Sequence, residues 1–159
     1  MTLDLLWLLV LVNGSPLLPK MLLPEGPVPR PLDGGRRLAD GRRLWGASKT
    51  VRGAVIMLLV AVLFAPLLGL PYIVGVVVGP LALAGDLLSS FIKRRMGLRS
   101  GAMAPGLDQI PESLLPLLAC KPLLGLEWST VFWVTLLFLA ADLLLSRLFW
   151  LLGFREHPH

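Results

Sequence analysis

The chain predicts an all-α, polytopic membrane protein with about five transmembrane helices and two functional loops on the cytoplasmic side. Three observations carry that prediction. Hydrophobic residues make up 55% of the 159 residues, above the roughly 45–50% of ordinary soluble domains. The excess is gathered into blocks about as long as the ~20 residues a helix needs to cross a bilayer. The basic residues stand mostly between those blocks: 24–52 and 93–108 hold seven and four of the fifteen Lys and Arg. The chain 1–159 therefore reads as a single integral membrane domain. Its spans fall at about 3–23, 54–70, 72–92, 110–126 and 128–152, with loops at 24–53 and 93–109.

The first span opens with Met1-Thr2-Leu3-Asp4, which lacks the basic n-region and small-residue cleavage site of a signal peptide. It is expected to be a retained span. Asn13-Gly14-Ser15-Pro16 interrupts its middle. Backbone groups freed by a break in lipid must find partners within the protein, so the break should face other helices. Asn13 then either lines a polar cavity or bonds the local backbone at a kink.

The loop 24–53 has a different composition. Asp33-Gly34-Gly35-Arg36-Arg37-Leu38 is nearly repeated by Asp40-Gly41-Arg42-Arg43-Leu44, and Ser48-Lys49-Thr50-Val51-Arg52 leads into the next apolar run. Glycines let backbone N–H groups approach an anion, and Lys and Arg neutralise it. Arg42, Arg43, Ser48, Lys49, Thr50 and Arg52 are thus candidate phosphate-binding residues. The competing reading is a solvated loop that obeys the positive-inside rule. The spacing of a Walker A loop is absent.

Span two ends before Pro71, which marks a tight turn, and span three contains Pro80. Helix four should begin near Ile110, with Pro111 in its first turn and Asp108 as a side-chain cap. Glu127 marks the turn into span five, and the tail from Gly153 to His159 is short and polar. Because both basic loops face one side, the positive-inside rule puts the N-terminus outside and the C-terminus in the cytoplasm, in a multi-pass cell-membrane protein. Lys20 and Arg155 agree with that orientation, and Lys121 alone is left on the other side, near a helix end where it can snorkel. The net charge of +5 follows from the same rule and gives no reason to expect nucleic acid.

Asp86, Ser89, Ser90 and Lys93 are spaced i, i+3, i+4 and i+7, one face of a helix. A carboxylate near the end of a span needs a partner and marks a functional site by default. Asp108 and Glu112, spaced i, i+4, open helix four at the same membrane face. Hard carboxylate oxygens from Asp86, Asp108 and Glu112 suit Mg²⁺, which typically takes one or two carboxylates together with substrate phosphates. Read conservatively, Asp86 is a salt-bridge partner of Lys93 or another basic group, and Asp108 is a helix cap. Asp142, inside span five, has Arg147 or Asn13 as possible partners. Cys120 is the single cysteine, which excludes an intrachain disulfide and any multi-cysteine metal site. His157 and His159 stand in the tail, and no Ser-His-Asp arrangement falls within the spans.

Five stretches in order resemble the CDP-archaeol synthases, CTP-dependent cytidylyltransferases related to the CDP-diacylglycerol synthases. They are Asn13 to Pro16, Asp40 to Gly46, Ser48 to Gly53, Gly85 to Arg95, and Leu107-Asp108-Gln109. They run from span one to the start of helix four, over about two-thirds of the chain. Val51 stands where the family usually has an aromatic. The His-Gly-Gly stretch of the diacylglycerol branch is replaced by Pro105-Gly106-Leu107-Asp108-Gln109, which favours the archaeol branch. The resemblance implies that a membrane lipid phosphate attacks the α-phosphorus of CTP and pyrophosphate leaves. It implies Mg²⁺ on Asp86 and Asp108, triphosphate on Lys49 and Arg52, and either phosphate on Lys93 and Arg94. Asp86, Asp108 and Lys93 would then be catalytic, with Asn13, Ser89, Ser90 and Gln109 as further polar candidates. Two readings compete. A non-enzymatic small transporter or anionic-lipid-binding protein would suit the broken first span and Asp142. A transferase joining a CDP-alcohol to a lipid would need more aspartates than follow Asp40-Gly41-Arg42-Arg43.

Overall fold

A computed structural model of the chain describes residues 1–19 and 28–151. Lys20, the far end of the first predicted span, and the tail with Arg155, His157 and His159 lie outside the described residues. Among these residues five α-helices of ten residues or more follow one another: α1 (Thr2–Gly14), continued by a 3₁₀ turn at Ser15–Leu17, then α2 (Val51–Leu67), α3 (Tyr72–Arg95), α4 (Gln109–Leu124) and α5 (Trp128–Leu151). No strand forms among the described residues. Two isolated antiparallel bridges, Pro31 with Thr50 and Arg37 with Arg43, pin the first loop. The all-α expectation holds.

The helix limits differ from the predicted spans for identifiable reasons. In α1, Pro16 lacks an N–H to continue the ladder, and Ser15 Oγ turns back to donate to the Val12 carbonyl at 2.7 Å. The helix tightens there into the 3₁₀ turn. The second helix begins early, at Val51, because Thr50 caps it: its Oγ1 accepts the Gly53 N–H at 3.1 Å. The third runs on to Arg95 because Arg42 Nη1 meets its terminal carbonyls, donating to Arg94 O at 3.2 Å and to Arg95 O.

Two helices, Tyr72–Arg95 and Trp128–Leu148, are long and apolar enough to cross a membrane; Thr2–Leu17 and Val51–Leu67 are apolar but shorter. Helix α4 has 16 residues, with Pro116 and Pro122 inside. Among the described residues, full crossing length is therefore met by these two helices. The bundle is apolar outside as well as inside. Leu59, Leu63 and Leu67 on α2 and Phe132, Trp133 and Leu144 on α5 are exposed. A helix hydrophobic all round suits lipid rather than water.

One core, with Leu8, Val12, Met57, Ala61, Val74, Val78, Leu117 and Phe138 among its members, runs through all five helices. Helix α3 is its axis, packed between α2 and α4. Small residues let backbones meet there. A Cβ on Gly75 would stand 2.2 Å from the Ala61 carbonyl oxygen, and one on Gly79 would stand 3.0 Å from Ala61 Cβ. Further along α3, a Cβ on Gly85 would stand 2.3 Å from the Pro111 carbonyl oxygen. Only a hydrogen fits, so the first turn of α4 comes to rest beside Asp86.

Candidate active site

The start of α2, the end of α3 and the start of α4 share one end of the bundle, and the two loops cover it. The first loop is built on Asp33, which is 3% exposed. Its carboxylate accepts N–H groups from Gly35 (2.9 Å), Trp45 (3.3 Å) and Gly46 (3.0 Å), and from Arg43 through Nε (3.3 Å) and Nη2 (2.6 Å). Burial pushes this carboxyl up, but those donors outweigh it and hold it at about 2. Asp40, in the second copy of the repeat, makes the same local turn with the Arg42 N–H at 3.0 Å. It stays exposed and pairs with Arg95 Nη1 at 2.9 Å.

The two loops are tied directly. The Ser48 N–H donates to Ser100 Oγ at 3.1 Å, and Ser100 Oγ donates to Ser48 Oγ at 3.2 Å. Arg95 Nη2 reaches the Arg43 carbonyl at 2.7 Å. Between the loops lies a cleft of about 290 Å³, lined by Arg37, Arg42, Arg43 and Arg94 with Gly46 and Gly97. Arg94 is 6% exposed, and its Nη2 donates to the Arg99 carbonyl at 2.5 Å.

Beside the cleft stands a second charged group. Main-chain bonds from Leu32 N–H to Lys49 O (2.7 Å) and from Val51 N–H to Arg30 O (3.0 Å) hold the Lys49 backbone. Its ammonium is ion-paired with Asp86 Oδ1. Burial pushes the Lys49 ammonium down, while Asp86, Glu112 and Asp108 together push it up and prevail. One ammonium thus feels all three carboxylates. Lys93, also 6% exposed, pairs with Asp108 Oδ1 at 2.6 Å and donates to the Ala102 carbonyl at 2.8 Å. Asp86 and Lys93 share a helix face as the spacing predicts, but each takes its partner from another segment.

Other expectations resolve differently. Asp108 stands at the cap position of α4 without capping it. Its backbone is already helical (φ −76°, ψ −53°), so the side chain turns back, and Oδ2 accepts the Ala104 N–H at 2.8 Å. Thr50 is occupied as the α2 cap. Ser89 Oγ donates to the Asp86 carbonyl at 3.0 Å, and Ser90 is buried next to it. Arg52 forms no ion pair among the described residues. Asn13 makes the local backbone bond: Nδ2 donates to Leu9 O at 2.9 Å, and the side chain borders a small, mostly apolar cavity with Asp142 and Ser146. Asp142 is bonded to neither Arg147 nor Asn13. Its Oδ2 accepts from Gln109 Nε2 at 2.7 Å.

Sequence reasoning gave no individual role to Asp33, Arg95, Ser100 or Gly85. An Asp two residues before a glycine is a signal for a side-chain turn, and a glycine beside an intramembrane acid is a signal for close approach. Among the described residues, no three His, Cys, Asp or Glu side chains close into a metal-binding cluster. Asp86 and Asp108 instead each face one ammonium. That donor set fits Mg²⁺, which needs few protein carboxylates when phosphates complete its shell.

Fold and composition define a membrane-embedded helical protein with basic and acidic side chains gathered at one end of its bundle. The comparisons give that class its family. A family model described as CarS-like, CDP-archaeol synthase, matches residues 68–159. The chain is 37% identical over 141 residues to a CDP-archaeol synthase from Methanopyrus kandleri, covering 81% of this chain and 79% of that one. It is 42% identical over 104 residues to one from Hyperthermus butylicus, covering 62% and 58%. A solved structure of an intramembrane enzyme for archaeal membrane lipid biosynthesis aligns at a TM-score of 0.66 with 31% identity. That alignment covers 87% of this chain and 90% of the other. The chain belongs to the CDP-archaeol synthase family.

Proposed function

We propose that the protein is a CTP-dependent cytidylyltransferase that acts on an archaeol-type lipid phosphate in the membrane. A phosphate oxygen of the lipid attacks the α-phosphorus of CTP. The bond from that phosphorus to the bridging oxygen breaks, and pyrophosphate leaves with the electron pair. The lipid phosphate is already ionised near neutral pH, so the site needs charge neutralisation and alignment more than a strong base. The observation that carries this reading is the pair of ion pairs Lys49–Asp86 and Lys93–Asp108 at one end of the bundle, in a chain of this family.

Lys49 and Lys93 bind and orient the phosphates by exchanging a carboxylate for a phosphate oxygen. Arg94, with Arg42 and Arg43 behind it, lines the basic cleft on the nucleotide side. Asp86, Asp108 and Glu112 would hold Mg²⁺. Bound there, the ion would neutralise the triphosphate and the departing pyrophosphate. The apolar outer faces keep the lipid chains in the bilayer while the headgroup reaches the site. The basic loops, and with them the site and the C-terminus, face the cytoplasm, where CTP is available.

The test is transfer of label from α-labelled CTP to an organic-extractable product, using purified protein and Mg²⁺. The acceptors are an unsaturated archaeal-type ether phosphate, phosphatidic acid and an isoprenyl phosphate. Product with the ether phosphate, lost on chelation of Mg²⁺, is the expected result. Product only with phosphatidic acid would move the substrate to the diacylglycerol type. No product and no thermal stabilisation by CTP with Mg²⁺ would overturn the reading.

A further inference from the structure

Asp142 stands inside α5, among residues apolar enough to span a membrane. A carboxylate there is costly unless a partner holds it. Its partner, Gln109, is 0% exposed and has both ends of its amide engaged. Nε2 donates to Asp142 Oδ2 at 2.7 Å, and Oε1 accepts the Gly106 N–H at 2.8 Å. Gly106 lies in the left-handed region at φ +83°, inside the turn that leads to Asp108. That turn is closed by the Ala104 N–H on Asp108 Oδ2 at 2.8 Å, and Asp108 Oδ1 meets Lys93. The polar contacts therefore run without a gap from the middle of α5 to a carboxylate of the site. The direction of the amide is set by its partners. Only a group that donates at one end and accepts at the other joins a carboxylate to a backbone N–H.

We propose that Asp142 is a positioning residue for Asp108, acting through Gln109 and the turn at Gly106. The acceptor matters more than the charge: Asp142 fixes the Gln109 amide, Gln109 fixes the turn, and the turn aims the Asp108 carboxylate at Lys93. The functional part of this claim rests on the cytidylyltransferase reading, whereas the positioning itself does not.

The experiment compares Asp142→Leu, which removes the acceptor, with Asp142→Asn, which restores a carbonyl oxygen to the same place. Loss of such a supporting partner typically costs about 10- to 100-fold. That loss is expected in kcat for Asp142→Leu, with KM for the lipid phosphate changed less than about twofold, and Asp142→Asn should recover most of it. Amide exchange is read in parallel in the detergent-solubilised protein. Residues 104–109 should exchange faster in Asp142→Leu and at the normal rate in Asp142→Asn. Gln109→Met breaks the same contacts from the other end and should reproduce both effects, and it serves where Asp142→Leu does not fold. Unchanged exchange over 104–109 in the leucine variant, or equal damage by leucine and asparagine, would overturn the proposal. Exchange needs no turnover, so a wild-type protein inactive on every acceptor would sink the reaction reading while leaving the positioning claim tested.

Discussion

Two charged regions lie side by side under the loops, and they are bonded in opposite ways. Asp33 is saturated. Three backbone amides and a two-pronged arginine surround it, and it is buried. Asp86 and Asp108 each face a lysine ammonium, a compact charge on a flexible stem. A carboxylate held by five N–H groups is architecture. A carboxylate held by a lysine can exchange its partner for a cation while the lysine turns to a phosphate. The sequence makes all three acids look alike, but the identity and number of donors set Asp33 apart from Asp86 and Asp108.

The largest expected effect tests the exchangeable side. Asp86→Asn should lower turnover about a thousandfold, the upper range for loss of one preorganised electrostatic contact, while helical content and membrane insertion stay normal. Near-wild-type transfer of label from CTP by that variant would remove Asp86 from the mechanism. The frame side should respond in stability instead. Asp33→Ala strands the Arg43 guanidinium, and breaking a buried pair costs on the order of 3 kcal/mol or more. Limited proteolysis should then cut within 28–50, whereas bound CTP with Mg²⁺ should restore part of the protection.

Acid should separate the regions as well. The Asp33 carboxyl is lowered from 3.8 to about 2 in the folded loop. A lowered folded value means that its contribution is fully present above about 3.8 and is lost as pH falls towards about 2. Loop protection should therefore be constant down to about pH 4 and fall below it. Loss of protection between pH 5 and 7 would assign the loop's stability to another group.

A smaller effect probes how the regions are spaced. Gly85→Ala drives a methyl into the Pro111 carbonyl, and overpacking of this kind costs about 1–3 kcal/mol. Because α4 carries Glu112 and Asp108, turnover should fall with stability. Gly14→Ala, which meets nothing within 4 Å, is the control and should leave both unchanged. The smallest effect is that of Thr50→Ala. It loses the α2 cap, at a cost of about 1 kcal/mol, measured as a drop in melting temperature. If Thr50 held phosphate instead, the KM for CTP would rise with stability unaltered.

Much of this was legible beforehand. Blocks of apolar residues marked all five helices, and the Asp86–Lys93 and Asp108–Glu112 spacings named the acids that gather at one end. Pairing was not legible. Helical spacing relates residues a few turns apart, so it ties Asp86 to Lys93 and cannot see Lys49 on another element. The arginines were ambiguous for a related reason. Whether Arg42 meets a phosphate or the last carbonyls of α3 depends on where that helix stops, and its stop depends on Arg42. The repeat hid the difference between Asp33 and Asp40, since burial is decided by what folds over each copy. Gln109 and Asp142 were both singled out, but nothing in the order of residues says that a glutamine on α4 and an acid on α5 meet.

The glycines of α3 have a mechanical consequence. Where backbone touches backbone, at Gly75 against Ala61 and at Gly85 against Pro111, there are no side chains to reshuffle. Each seam has one clearance, and close-packed interfaces switch between discrete arrangements rather than stretching. Helices α2, α3 and α4 then behave as a slab of fixed thickness. The loops stand on its rim, so excursions on the nanosecond-to-microsecond scale typical of loops leave the distance between the helices that carry the acids unchanged.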